Sequence, residues 1–136
     1  MKVFWDTNLF IYLIERHPAS HPKVDSLYRE HRKSGDEIIA SARTLGELLA
    51  QPLRQGRTDL VRRYTELPTS PAMIRLVAFD RAAAEQYAGK RAQGSIRQPD
   101  AIQIACALAN RADAFITNDS RLWGVSLPQA MSVRGL

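Results

Sequence analysis

The sequence predicts an α/β domain, a central and mostly parallel sheet with helices on both faces, and three observations predict it. Short apolar runs alternate with longer amphipathic stretches, the pattern of strands joined by crossover helices. The 136 residues suit one compact domain spanning 1–136, burying roughly two-thirds of the surface its unfolded chain exposes. One stretch, Ala101–Ala109, carries no charge, as a helix buried nearly all round requires.

The elements follow in order. Lys2–Trp5 is a short apolar run that reads as a buried strand, and Asn8–Glu15 continues as an amphipathic helix. His21–Ser34 is a second helix, ended by Gly35 in a C-terminal capping position. Ile38–Ala40 is a short strand. Thr44–Ala50 is helical and stops near Pro52, since the residue before a proline is disfavoured in the α region. Thr58–Leu67 is a helix with Thr58 as N-cap and Pro68 just past its end. Met73–Ala78 is the next strand, and Asp80 caps a helix running to about Ala92. Gly94–Gln98 is a polar loop, and Pro99 opens the uncharged helix. Ala114–Thr117 is a strand, Asn118–Arg121 a turn and Ser132–Arg134 a last edge strand.

Composition narrows the function. The single cysteine, Cys106, lies within the uncharged run and reads as a small core residue, not half of a disulfide or a zinc ligand. No segment near the N-terminus has the length of a membrane span or the form of a targeting signal, so the expectation is a cytoplasmic protein without a membrane. The formal net charge is +5 and most cations are arginines, whose fork suits phosphate. That is compatible with a nucleic-acid partner, and equally with a solvated basic surface. His17, His21 and His31 show no metal spacing and read as surface residues. There is no glycine-rich phosphate cradle, and Asn8 stands where an aspartyl-phosphate hydrolase needs its second Asp.

The informative pattern is where the acids fall. Asp6 ends the first strand, Asp119 follows the strand Ala114–Thr117, Asp100 opens the uncharged helix, and Glu47 lies in the helix after the second strand. Ligand sites of open parallel sheets form outside the carboxyl ends of the strands. Two unit charges about 4 Å apart repel by roughly 4 kcal/mol at an effective dielectric of 20. Four carboxylates in one cleft must therefore take up protons or bind cations. An all-oxygen donor set selects a hard cation, Mg²⁺ or Mn²⁺, which can activate water and neutralise a phosphoryl group. Each acid also has a plain reading. Asp6 is a helix cap, Asp119 an Asx turn, Asp100 a partner for the helix dipole, and Glu47 a residue on a wet face beside Leu45, Leu48 and Leu49.

Together these segments resemble the PIN domain. They stand as Asp6-Thr7-Asn8, as Glu47 within Ser41-Ala42-Arg43-Thr44-Leu45-Gly46-Glu47-Leu48-Leu49, as Asp100 within Pro99-Asp100-Ala101-Ile102-Gln103-Ile104-Ala105, and as Asp119 within Ile116-Thr117-Asn118-Asp119. The resemblance implies a PIN-like fold and a metal-dependent nuclease. Asp6, Asp100 and Asp119 would ligate the cation, with Glu47 completing the site directly or through water. Thr7, Ser41, Thr117 and Asn118 are candidates to orient those acids, and Arg97 and Arg121 to hold backbone phosphates. With little beyond the bare domain, the chain looks like the VapC-type toxins of toxin–antitoxin pairs. That likeness implies an endoribonuclease, a homodimer and a small antitoxin protein in the active-site groove. The alternative is a catalytically degenerate RNA- or protein-binding module. Two positions depart from the family pattern: Ser120-Arg121-Leu122 follows Asp119 where an aromatic is common, and Trp5 is bulkier than the usual aliphatic.

Overall fold

A computed structural model of the chain describes residues 1–67, 74–94, 96–123 and 131–136. At its centre stands β1 (Lys2–Trp5), flanked by β2 (Glu37–Ser41) and β4 (Ala114–Ile116), with β3 (Ile74–Val77) and β5 (Ser132–Arg134) outside them. The order is β3-β2-β1-β4-β5, and every pairing is parallel. The sheet is therefore wholly parallel. Met73 and Ser95, which fall within the strand Met73–Ala78 and the loop Gly94–Gln98 read from sequence, lie outside the described residues.

Alternation along the strands divides the core into two layers. Phe4, Ile39 and Phe115 point to one face, where α5 (Arg81–Ala92) and α6 (Gln98–Ala109) supply Ala83, Ile104 and Ala107. Val3, Trp5, Ile38, Ala40 and Ile116 point to the other. There α1 (Thr7–Ile14), α2 (His21–Ser34), α3 (Ala42–Arg54) and α4 (Thr58–Glu66) bring Leu9, Phe10, Val24, Leu48, Leu60 and Tyr64. Phe4 and Phe115 stack across β1 and β4 with centroids 5.1 Å apart, and each buried ring is worth about 1.5–3 kcal/mol. Cys106 is buried as expected, and burial pushes its thiol up to about 11.

Three local expectations are corrected. Helix α3 does not stop near Pro52 but runs to Arg54. A proline in the last turn removes few helix bonds, its ring is buried, and its carbonyl accepts from Arg57 N–H at 2.8 Å. Thr58 is the first helical residue rather than the cap; Arg57 is the cap, without a side-chain bond, after a turn at Gly56 with φ of +65°. His31 is not a surface residue. It lies seven positions after Val24 on the buried stripe of α2, with its ring against Trp5 and its Nδ1 3.0 Å from Asp36 Oδ2. The same packing accounts for the bulk of Trp5, which fills the space beneath Phe10, Tyr28 and His31. Among the described residues no helix is long and apolar enough to cross a membrane.

Candidate active site

Parallel strands put all their carboxyl ends on one edge. Phe4 pairs in register with Ile39 and Phe115, so two residues on, Asp6, Ser41 and Thr117 stand side by side. Asp6 caps α1 by accepting the Thr7 N–H at 2.9 Å, and also faces the cleft. Capping and site-lining are thus compatible roles of one side chain. Its Oδ2 accepts the Thr117 hydroxyl at 2.7 Å, while Thr117 Oγ1 accepts the backbone N–H of Asp119 at 3.0 Å. One threonine therefore fixes the distance between the ends of β1 and β4.

The cleft is lined by Asp6, Thr7, Asn8, Glu47, Asp100 and Asp119, with Arg43 and Gln103 also on its wall. All four predicted acids meet there. They do not meet as bare charges. Glu47 is ion-paired with Arg43 one turn back on α3. Asp100, in the first turn of α6, lies 3.4 Å from the Nε of Arg97. Asp119 receives both the backbone N–H and the guanidinium of Arg121, Nε being 2.9 Å from Oδ1. That guanidinium holds the Asp119 carboxyl down to about 2. Among the described residues no three His, Cys, Asp or Glu side chains are gathered into a group that could hold a metal ion. The expected repulsion is relieved by three arginines from neighbouring positions in the chain.

Behind the acids is a buried polar hub that the sequence reading missed. Gln103, 3 % exposed, donates from Nε2 to Thr44 Oγ1 at 2.8 Å and to Asp6 Oδ1 at 3.3 Å. Its Oε1 accepts the Ser41 hydroxyl. Ser41 caps α3 through the Thr44 N–H at 3.1 Å, and Thr7 and Thr44 bond through their hydroxyls at 3.0 Å. Thr7, Ser41 and Thr117 thus all belong to the frame around Asp6. Asn118 does not: its amide donates to Tyr12 Oη at 3.1 Å, and it is absent from the cleft wall. A signal for Gln103 was present, because it is the lone polar side chain in the uncharged run and lies three residues after Asp100, on the same helix face.

An acid-lined cleft at the carboxyl edge of a doubly covered parallel sheet stands where open α/β proteins form their ligand sites. The PIN domain model matches residues 3–125, and the chain belongs to the PIN domain family. PIN domains are generally nucleases and typically use divalent metal ions. No curated relative matches the chain. Among solved structures it is similar to VapBC2 from Rickettsia felis bound to a DNA fragment from its promoter, with a TM-score of 0.73 and 18 % identity over 99 % of this chain and 98 % of that one. It is similar to a toxin–antitoxin complex from Klebsiella pneumoniae, with a TM-score of 0.67 and 18 % identity over 95 % and 94 %. The sarcin-ricin-loop-cleaving toxin VapC20 of Mycobacterium tuberculosis matches with a TM-score of 0.66 and 16 % identity over 83 % and 86 %.

Proposed function

We propose that this chain is a Mg²⁺- or Mn²⁺-dependent endoribonuclease, a single PIN-like nuclease domain that serves as the cytoplasmic toxin of a toxin–antitoxin pair. The observation that carries the reading is the meeting of Asp6, Glu47, Asp100 and Asp119 in one cleft at the carboxyl edge. Their donors are all carboxylate oxygens, which suits a hard divalent cation. Three of the four have their charge balanced by arginines with partly exposed side chains, Arg43 at 36 %, Arg97 at 61 % and Arg121 at 59 %. Such pairs contribute about 0–1 kcal/mol each, little enough to be exchanged for a cation.

When bound, that cation would supply an activated water and offset charge on the phosphoryl group. The chain's own residues do the rest. Asp6, Asp100 and Asp119 would hold the cation, Glu47 would complete the set, and Thr117 and Gln103 keep Asp6 aimed. Arg97 and Arg121, beside Asp100 and Asp119, would hold the phosphates that flank the scissile bond. The basic composition supports an RNA substrate and the toxin–antitoxin neighbours a small antitoxin partner; the homodimer rests on the family resemblance alone.

A second reading is favoured by the arginine pairs themselves. If they are permanent counter-charges, the chain is a degenerate RNA- or protein-binding module. Incubation of purified protein with generic RNA separates the two. The nuclease reading expects internal cleavage with Mg²⁺ or Mn²⁺ and none in EDTA; cleavage undiminished in EDTA, or none with either metal, overturns it.

A further inference from the structure

Along the same edge, past Asp119, the chain carries an aromatic side chain that the acid chemistry does not use. After the 3-10 turn Ser120–Leu122, Leu122 is buried but Trp123 is 48 % exposed. The indole is nevertheless held in place. Its Nε1–H donates to the carbonyl of Thr117 at 3.1 Å, and its backbone N–H to Ser120 O at 3.2 Å. Its six-membered ring lies against Gly135, just beyond β5, where a Cβ would come within 2.6 Å of Cζ2. Glycine at 135 is what lets the ring approach the backbone so closely.

Thr117 links this ring to the cleft. The residue whose carbonyl anchors the indole is the one whose hydroxyl serves both Asp6 and the Asp119 N–H. Gly135 also lines a neighbouring groove with Lys23, Glu30 and Arg134, and among the described residues neither cation is ion-paired with a carboxylate. A held, half-exposed aromatic tied through Thr117 to an acidic cleft, and through Gly135 to a groove with two cations and one acid, has the make-up of a single-strand platform, where bases stack and phosphates are neutralised. An apolar protein partner would find charges on the same flank.

We propose that Trp123 is a stacking platform for one unpaired base of the RNA strand that enters the acidic cleft, with Gly135 keeping the indole in position. The proposal rests on the ribonuclease reading and deepens it from RNA to RNA presented single-stranded, with a base splayed beside the cleaved bond. Trp123 is a binding residue here, and Thr117 a positioning one.

The test uses short single-stranded oligoadenylate and its abasic counterpart, in EDTA so that binding is read without turnover. Binding is followed by anisotropy of the labelled strand and by tryptophan fluorescence. Trp5 is fully buried, so a quench on stacking reports Trp123, and its loss in Trp123→Phe assigns the signal. We expect oligoadenylate to bind and quench, and the abasic strand to bind roughly tenfold more weakly without quenching. Trp123→Phe should keep base-dependent affinity within about threefold, and Trp123→Ala should lose roughly tenfold of it. Gly135→Ala, which keeps the tryptophan but displaces its ring, should behave like Trp123→Ala. Equal affinity for the two strands, or binding without a quench, overturns the platform and leaves the ribonuclease standing. A fluorescence change that follows protein concentration without RNA gives the face to a protein contact and also overturns it. Failure to bind either strand overturns the platform, while the ribonuclease reading is decided separately by cleavage with Mg²⁺ or Mn²⁺.

Discussion

The two edges of the sheet both carry carboxylates, and they hold them differently. At the amino edge, Asp113 accepts the backbone N–H of Lys2 at 2.8 Å and returns its own N–H to Lys2 O at 2.8 Å. Asp36 there is 12 % exposed, bonded to buried His31 at 3.0 Å and to the N-terminal ammonium at 3.2 Å. The hydrogen bond from His31 keeps its carboxyl below the ordinary range. At the carboxyl edge four acids share one cleft, and three rest on arginines no more than four residues away. A carboxylate outside the cleft, with no arginine beside it and tied to backbone or to a buried ring, is a fixed part of the frame. One balanced by a flexible, partly exposed arginine can trade that cation for another. The difference lies in the partners, not in the acids.

The largest effect expected from this contrast is on cleavage. Asp6→Asn should lower the RNA cleavage rate by at least about 100-fold, the scale on which metal sites respond even to loss of supporting groups. Asp113→Asn should leave the rate unchanged and cost about 1 kcal/mol of stability for its altered hydrogen bond. Rates from gel-resolved cleavage, beside urea unfolding curves, decide it. Equal losses at the two edges would erase the distinction.

A smaller effect should follow from the hub beneath the cleft. Gln103→Leu keeps roughly the volume but strands the Ser41 and Thr44 hydroxyls, so about 1–3 kcal/mol of stability should go. Cleavage should fall by about 10- to 100-fold, because Asp6 loses a group that holds it in place. The measurement is the same pair of assays. A stability loss with an unchanged rate would make Gln103 a packing residue only.

Much of this was legible in the sequence. The strands showed as short apolar runs, and α6 as the stretch from Ala101 to Ala109 without a charge. Asp6 and Asp119 could be placed at the carboxyl edge because strand–helix alternation fixes where each strand ends, with Asp100 and Glu47 on helices that could reach it. What remained hidden depends on tertiary neighbours. Gln103 was masked by the apolar run that marks its helix. His31 looked polar, yet its position seven residues after Val24 puts it on the buried face of α2. Arg43–Glu47 and Arg97–Asp100 have the i,i+4 and i,i+3 spacings at which helical side chains meet, but spacing does not set whether an arginine turns to its neighbouring acid or to a phosphate. Pro52 was read as a stop, but near the end of α3 it interrupts little.

A weaker signature of the contrast should appear in acid. The Asp119 carboxyl is lowered to about 2, first by the Arg121 hydrogen bond. Its folded value lies below its unfolded value, so its contribution to stability is present above about pH 4 and lost as pH falls toward about 2. Arg121→Gln should flatten that part of the melting-temperature profile of the metal-free protein. The shift should be modest, since the pair is only partly buried. A profile identical to the parent's would mean that Arg121 does not hold Asp119 in solution.

The central claim is that Glu47, Asp100 and Asp119 exchange arginine for a divalent cation shared with Asp6, and Mn²⁺ titration followed by thermal melting tests it most directly. At about 100 times the dissociation constant a ligand specific for the folded state adds roughly 2.7 kcal/mol. The parent and Asp113→Asn should gain that stabilisation saturably, whereas Asp6→Asn and Asp119→Asn should gain little or none. Equal stabilisation of all four proteins, or of none, would contradict the claim.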